Sequence, residues 1–250
     1  YARIADLYSR RDTLGLSAEQ ARVLDRYHTR FVRAGAALDQ AQQDRLAAIN
    51  ERLATLGTQF GQNVLADEKS YALVLDEGDL AGLPDVARDA ARAAAEERGH
   101  SGKYAVTLAR SSAETFLQFS ARRDLREKLF QAFIKRGENG GATDNRATIA
   151  ETVKWRAERA ALLGFKTFAD YRLDDQMAKT PAAARKLLEE VWTRARARAL
   201  ADRDDLQKLI AEEGGNFALA PWDWRYYAEK LRKARYDLDE SEIKPYFELD

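Results

Sequence analysis

Residues 38–65, LDQAQQDRLAAINERLATLGTQFGQNVL, carry the pattern that decides the fold. Leu46, Ile49, Leu53, Leu56, Phe60 and Val64 recur at steps of three and four, which lines them along one side of an α-helix and turns that side toward a core. At 1.5 Å per residue such a helix extends roughly 40 Å, long enough to act as a spine for shorter neighbours.

The same period returns further along the chain. Leu125, Leu129, Phe130, Phe133 and Ile134 form a second stripe, and Gly137 stands where a left-handed cap is wanted. Ile149, Val153, Ala157, Ala160 and Leu163 form a third, with Asp144 placed as its N-cap and Gly164-Phe165 in the small-then-apolar order of a Schellman ending. Thr180-Pro181 predicts a helix start, because proline at the first helical position lacks only an N–H that has no partner there. That helix runs to Glu213 and stops at Gly214-Gly215, and another is expected from Pro221 with Tyr227, Leu231 and Ala234 inward.

Two stretches break the helical period, Tyr71–Leu75 and Tyr104–Leu108, both rich in β-formers and bracketed by turn residues. Between them the alanine-rich segment from Pro84 to Arg98 reads as a helix ended by Gly99. Residues 70–109 therefore read strand, helix, strand, and a helical crossover suits a parallel pair. The fold class that follows is mainly α, with a small two-stranded sheet inserted in a multi-helix lobe. Only residues 137–143, which contain Gly140-Gly141, read as a loose segment.

Composition narrows the function. The 250 residues are 45% hydrophobic, enough to bury a core, while 41 basic residues balance 41 acidic ones and leave no net field for nucleic acid or an anionic membrane. The absence of cysteine excludes disulfides and thiolate chemistry and fits a reducing compartment. No stretch approaches the roughly 20 apolar residues that span a bilayer, and no signal peptide is read at Tyr1–Arg10. Tyr1 falls inside a helical pattern and Asp250 has no cap after it, so both ends read as boundaries of a piece.

Chemistry-bearing residues are sparse. His28 and His100 are the two histidines, and neither has metal-ligand spacing to another ligand. His28 reads as a partly buried or surface residue, His100 as a solvated residue of the Gly99–Gly102 turn. The acidic groups Asp202, Asp204, Asp205 and Asp237, Asp239, Glu240, Glu242 lack the glycine-bearing calcium loop and read as solvated helix faces and caps. Arg194, Arg196 and Arg198 step by two, which spreads charge around a helix instead of building a basic stripe. Trp222, Trp224, Tyr226, Tyr227, Tyr236, Tyr246 and Phe247 make a dense aromatic cluster, read as a core wedge or an interface in preference to a substrate shelf.

Several blocks together carry a family resemblance: FVRAGAALD at 31–39, DLAGLPD at 79–85, SARRDLREKLFQAFIKRGENGG at 120–141, DNRATIAETVKWRAERAALLGF at 144–165, and PWDWRYYAEKLRKARYDLDESEIKPYFELD at 221–250. In order and spacing they resemble the thimet oligopeptidase family of zinc metallopeptidases, across essentially the whole chain, and EKLRKARYDLDE at 229–240 is more similar to its peptidyl-dipeptidase branch. The resemblance implies an elongated helical lobe beside a substrate channel, short peptides as substrates, and zinc held by a His-Glu-x-x-His helix plus a downstream glutamate. It also implies a cytoplasmic enzyme. No His-Glu-x-x-His occurs in the 250 residues, so no catalytic, cofactor-binding or metal-binding residue is assigned.

The expectation is an amino-terminal helical lobe, inactive alone, of a larger zinc peptidase whose catalytic half is its partner. The aromatic cluster from Trp222 is expected to form part of the face that meets that half. A non-catalytic interaction module sharing the fold is the alternative, and an unrelated hydrolase built on the two histidines has little to support it.

Overall fold

The computed structural model describes residues 1–236 and Tyr246. Along the chain come α1 (Ala2–Ser9), α2 (Ala18–Arg33), α3 (Gln40–Ser70), β1 (Leu73–Leu75), α4 (Asp85–Glu97), β2 (Tyr104–Val106), α5 (Arg110–Phe119), α6 (Arg123–Ile134), α7 (Arg146–Leu162), α8 (Phe168–Leu173), α9 (Pro181–Glu212) and α10 (Trp224–Tyr236). They sort into two units, residues 1–60 with 146–188 and residues 61–145 with 189–250.

In the first unit the spine is the amino-terminal part of α3. Leu46, Ile49 and Leu56 are buried as the spacing predicts, whereas Leu53 is half-buried and Phe60 is 43% exposed. Each fully buried leucine or isoleucine contributes ~1.5–3 kcal/mol, so these three positions outweigh the ion pairs on their flanks, which solvent screens. Those pairs join α3 to α7: Arg52 grips Glu151 through two nitrogens at 2.6 and 2.7 Å, and Arg45 Nε reaches Glu158 at 2.6 Å. Arg52, helped by the Trp155 indole N–H, lowers the Glu151 carboxyl from its ordinary 4.5 to about 2.

Local chemistry sets the helix ends in this unit. A capping box opens α2, where Ser17 Oγ accepts from the Gln20 N–H and Gln20 Oε1 accepts from the Ser17 N–H. The Schellman ending of α7 is present: Gly164 has φ +81°, the Phe165 N–H donates to Ala160 O at 2.9 Å, and the Gly164 N–H donates to Ala161 O at 3.0 Å. Thr180 caps α9 by accepting from the Ala183 N–H. At the far end of α2, Arg33 lies 4.4 Å over the Tyr171 ring and pairs with Asp174 and Asp175, tying α2 to α8.

The second unit holds the sheet and a larger apolar core. Leu75, Leu80, Leu83, Val106, Leu108, Phe116, Leu117, Leu125 and Leu129 are buried together, drawn from β1, β2, α5, α6 and the connections between them. The strands pair antiparallel, with Leu73 opposite Val106 and Leu75 opposite Tyr104, which corrects the parallel expectation. The crossover rule assumes short links on both sides of the helix. Here residues 76–84 are themselves folded, with a 3₁₀ turn at Glu77–Asp79 closed by reciprocal Asp76 and Asp79 hydrogen bonds, so the connection is not the direct crossover on which that expectation rests. The same link fixes Gly82: at φ +86° its absent Cβ would lie 2.3 Å from Phe119 O, so no other residue fits without moving backbone.

Two further expectations shift, both at α10. Helix α10 begins at Trp224, three residues after Pro221, because residues 221–223 form the turn that delivers Asp223 to its partners. Tyr227 is buried and Leu231 half-buried as predicted, but Ala234 faces solvent. Helix α7 starts at Arg146, and Asp144 accepts from the Gly140 N–H at 2.9 Å.

Candidate functional site

The second unit contains a buried charge centre. Asp223 and Arg126 are 0% and 1% exposed, and Arg126 Nη2 donates to Asp223 Oδ1 at 2.8 Å. The rest of the Arg126 guanidinium is used on backbone, Nη1 on Ser120 O at 2.7 Å and Nε on Trp222 O at 3.1 Å. Arg123 adds a second fork, with Nη2 on Asp223 Oδ2 at 2.9 Å, and the Ala220 N–H donates to the same oxygen at 3.1 Å. Aromatic faces complete the enclosure, Tyr226 4.2 Å from Arg126 and Phe217 4.3 Å from Arg123. One carboxylate thus locks α6 to the turn that starts α10.

Beside this lock lies an open groove of about 660 Å³, lined by Arg203, Leu219, Ala220, Pro221, Trp224 and Arg225. Its two guanidiniums are each tethered, Arg225 to Glu114 at 3.0 Å and Arg203 to Asp204 at 2.7 Å. An indole and two cations suit contact with a polar chain; they supply no nucleophile and no proton-transfer pair.

A second polar centre organises residues 137–145. Asp67, at the carboxyl end of α3 and buried, accepts from the Gly137 N–H at 2.6 Å, from Asn139 Nδ2 at 2.7 Å and from the Thr143 hydroxyl. Around it Arg136 pairs with Glu68, and Asn63 donates to Asn145 Oδ1 at 2.9 Å. The Thr143 hydroxyl, opposed by burial and joined by Gly137 and Asn139, holds the Asp67 carboxyl below its ordinary value. The segment that reads as loose is therefore pinned to the spine by one carboxylate.

The residues singled out in the sequence do not converge. His28 stacks on Tyr8, ring centroids 3.7 Å apart, and His100 is exposed in its turn. Asp202, Asp204 and Asp205 pair with Arg198, Arg203 and Arg235 on a solvated face, whereas Asp237, Asp239, Glu240 and Glu242 lie outside the described residues. Arg194, Arg196 and Arg198 are all exposed. The aromatic cluster divides: Trp222 packs on the large core, Trp224, Tyr226 and Tyr227 pack around Leu206 and Ile210, Tyr236 and Tyr246 face solvent, and Phe247 is outside the described residues. Among the described residues no three of His, Cys, Asp and Glu come together where a metal ion could sit.

Asp67, Asp223 and Arg126 escaped the sequence reading although a signal was there. Asp67 falls three residues after Val64 on the spine, and Arg126 sits one residue after Leu125 and three before Leu129. A charge in phase with an apolar stripe has to be paired when the stripe is buried.

Comparison with known proteins gives the family of the chain. The model of peptidase family M3 matches residues 116–250, more than half of the chain. The whole chain aligns at 41% identity with the dipeptidyl carboxypeptidase of Escherichia coli K12, of which it covers 37%. Oligopeptidase A of Haemophilus influenzae is 33% identical over 92% of the chain and 34% of its own length, and saccharolysin of Saccharomyces cerevisiae is 24% identical over the whole chain and 35% of its own length. A helical chain matched in this way belongs to peptidase family M3. It spans a little over a third of the length of these curated relatives.

Proposed function

We propose that this chain is the amino-terminal helical lobe of a zinc metallopeptidase that releases dipeptides from the carboxyl end of short peptides, and that it shapes the substrate channel without holding the metal. The observation that carries this reading is the 41% identity along the entire chain to a dipeptidyl carboxypeptidase, of which only 37% is covered. The described residues do not fit a zinc ion: one histidine is stacked on a tyrosine, the other is solvated, and the acidic residues of α9 are spent on arginines. We therefore assign the metal ligands and the catalytic residues to the remainder of the polypeptide.

What this lobe contributes is rigidity and access. The Asp223 and Asp67 centres fix α6, the start of α10 and residues 137–145 without a mobile charge, and preorganised walls restrict a channel to extended peptides more effectively than flexible ones. A balanced surface charge argues against nucleic acid or lipid as partners. No helix among the described residues is long and apolar enough to cross a membrane. Cytoplasmic residence belongs to the same proposal and rests on the family and the absence of cysteine.

The test compares the full-length polypeptide with the 250-residue chain on peptides of four to ten residues, followed by mass spectrometry. The full-length protein is expected to release carboxyl-terminal dipeptides, to lose activity on chelation and to regain it with zinc. The shorter chain is expected to give no turnover with or without zinc. Stoichiometric zinc uptake and cleavage by the 250-residue chain would overturn the proposal.

A further inference from the structure

We infer that Asn139-Gly140 is a deamidation site held off by two carboxylates, Asp67 and Asp144, and that its conversion to aspartate releases residues 137–143 from the carboxyl end of α3 irreversibly.

The chain has five asparagines, and the residues that follow them are Glu51, Val64, Gly140, Arg146 and Phe217. Only Asn139 precedes a residue without a side chain. Deamidation begins when the next backbone nitrogen gives its proton to solvent and attacks the asparagine Cγ. An N–Cγ bond forms, the Cγ–Nδ2 bond breaks, and Nδ2 takes up protons from solvent and leaves as ammonia. Water then opens the resulting imide at either carbonyl, giving aspartate or isoaspartate. The net exchange is an amide for a carboxylic acid, with water as the co-reactant and no change of oxidation state. Glycine after the asparagine puts nothing in the path of the attack and bends freely into it. Here the turn itself demands glycine, since Gly140 sits in the left-handed region at φ +72°.

Both nitrogens that must react are held. The Gly140 N–H donates to Asp144 Oδ2 at 2.9 Å, so negative charge forming on that nitrogen would face a carboxylate, which disfavours it. Asn139 Nδ2 donates to Asp67 Oδ2 at 2.7 Å, which ties the side-chain amide to α3 and keeps its Cγ from swinging onto the backbone. Asp67 is only 7% exposed and is fixed in turn by the Gly137 N–H at 2.6 Å and by the Thr143 hydroxyl. The asparagine, both acids and these donors all belong to the second unit. Attack therefore waits for residues 137–143 to open locally.

The product does not fit the closed arrangement. A carboxylate at position 139 has no proton to donate and would set an acceptor against an acceptor. Two like charges at hydrogen-bond distance, one of them buried, cannot both stay ionised. The new side chain is expelled, and Asp67 is left with one donor fewer. Conversion thus removes part of the grip that had opposed it.

Full-length polypeptide is incubated in mildly alkaline buffer, folded or unfolded in guanidinium chloride. Trypsin cuts after Arg136 and Arg146, and conversion is read from the mass and fragments of peptide 137–146. Folded protein is expected to convert at Asn139 about tenfold or more slowly than unfolded protein, and folded Asp67→Ala at close to the unfolded rate. Equal rates for folded and unfolded protein overturn the inference. So does an Asp67→Ala variant that is folded by circular dichroism and converts no faster than the unsubstituted protein. Asn139→Asp tests the release without relying on the Asp67 variant: hydrogen exchange at the Gly137 amide is expected to quicken about tenfold while the amides of α5 and α6 keep their rates. Unchanged exchange at Gly137 overturns the release, as does an equal rise throughout α5 and α6, which would mean that the substitution loosens the whole unit.

Discussion

The two units use the same chemistry, an arginine on a carboxylate, under opposite conditions. In the first, Arg52 and Glu151 meet at 2.6 Å with their side chains 43% and 36% exposed; in the second, Arg126 and Asp223 meet at 2.8 Å with theirs 1% and 0% exposed. Distance does not separate these pairs. Water does: solvent screens the first and would take over its partners if it broke, whereas the second sits where a charge without a partner has no alternative. The exposed pair decorates a helix whose buried side is carried by Leu46, Ile49 and Leu56, while the buried one holds α6 and the start of α10 in register.

The widest separation is expected from Asp223→Ala, which strands two guanidiniums, one of them fully buried, and should cost ~3–5 kcal/mol in urea unfolding. A loss no larger than that of Arg52→Ala would break the comparison. Next comes Asp67→Ala. Three donors lose one acceptor, and the expected cost is ~1–3 kcal/mol, with faster hydrogen exchange at the Gly137 amide and its neighbours; unchanged exchange there would mean that residues 137–145 are held by something else. The smallest effect is at Glu151. Its carboxyl is lowered in the folded chain to about 2 from an ordinary 4.5, so its contribution is complete above 4.5, fades as pH falls, and is gone below about 2. The difference in Tm between the unsubstituted chain and Arg52→Ala should therefore be largest near neutral pH and vanish at the acid end. A difference that persists there would show that Arg52 acts through packing of its alkyl stem.

Helix ends were legible because they are local events. Gly164 and Gly214 close α7 and α9 with positive φ and with paired 6→1 and 5→2 hydrogen bonds, and each was visible as a glycine just past a periodic run. The antiparallel sheet was hidden because strand direction depends on how residues 76–84 turn, which hydrophobic periodicity does not encode. The start of α10 was misplaced for a related reason: Pro221 is a good first helical residue in isolation, but Asp223 has to reach arginines a hundred residues away in sequence.

For the candidate site the division is similar. The two histidines, without partners at ligand spacing in the sequence, lie apart, one stacked on Tyr8 and one exposed in its turn. The carboxylates that matter here, Asp67 and Asp223, were not singled out, because a charge among apolar neighbours, Asp67 after Val64 on the spine and Asp223 between Trp222 and Trp224, announces a requirement for partners without naming them.

Sequence by itself determined the helical class, the spine, the helix endings at Gly164 and Gly214, the Thr180 cap and the membership of the blocks from Phe31 to Asp250 in one family pattern, since periodicity and capping act over a few neighbouring residues. Only the tertiary structure decided which charges are buried and which way the two strands run. Burial and pairing are properties of segments far apart in the chain, and free energy assigns them only once those segments meet.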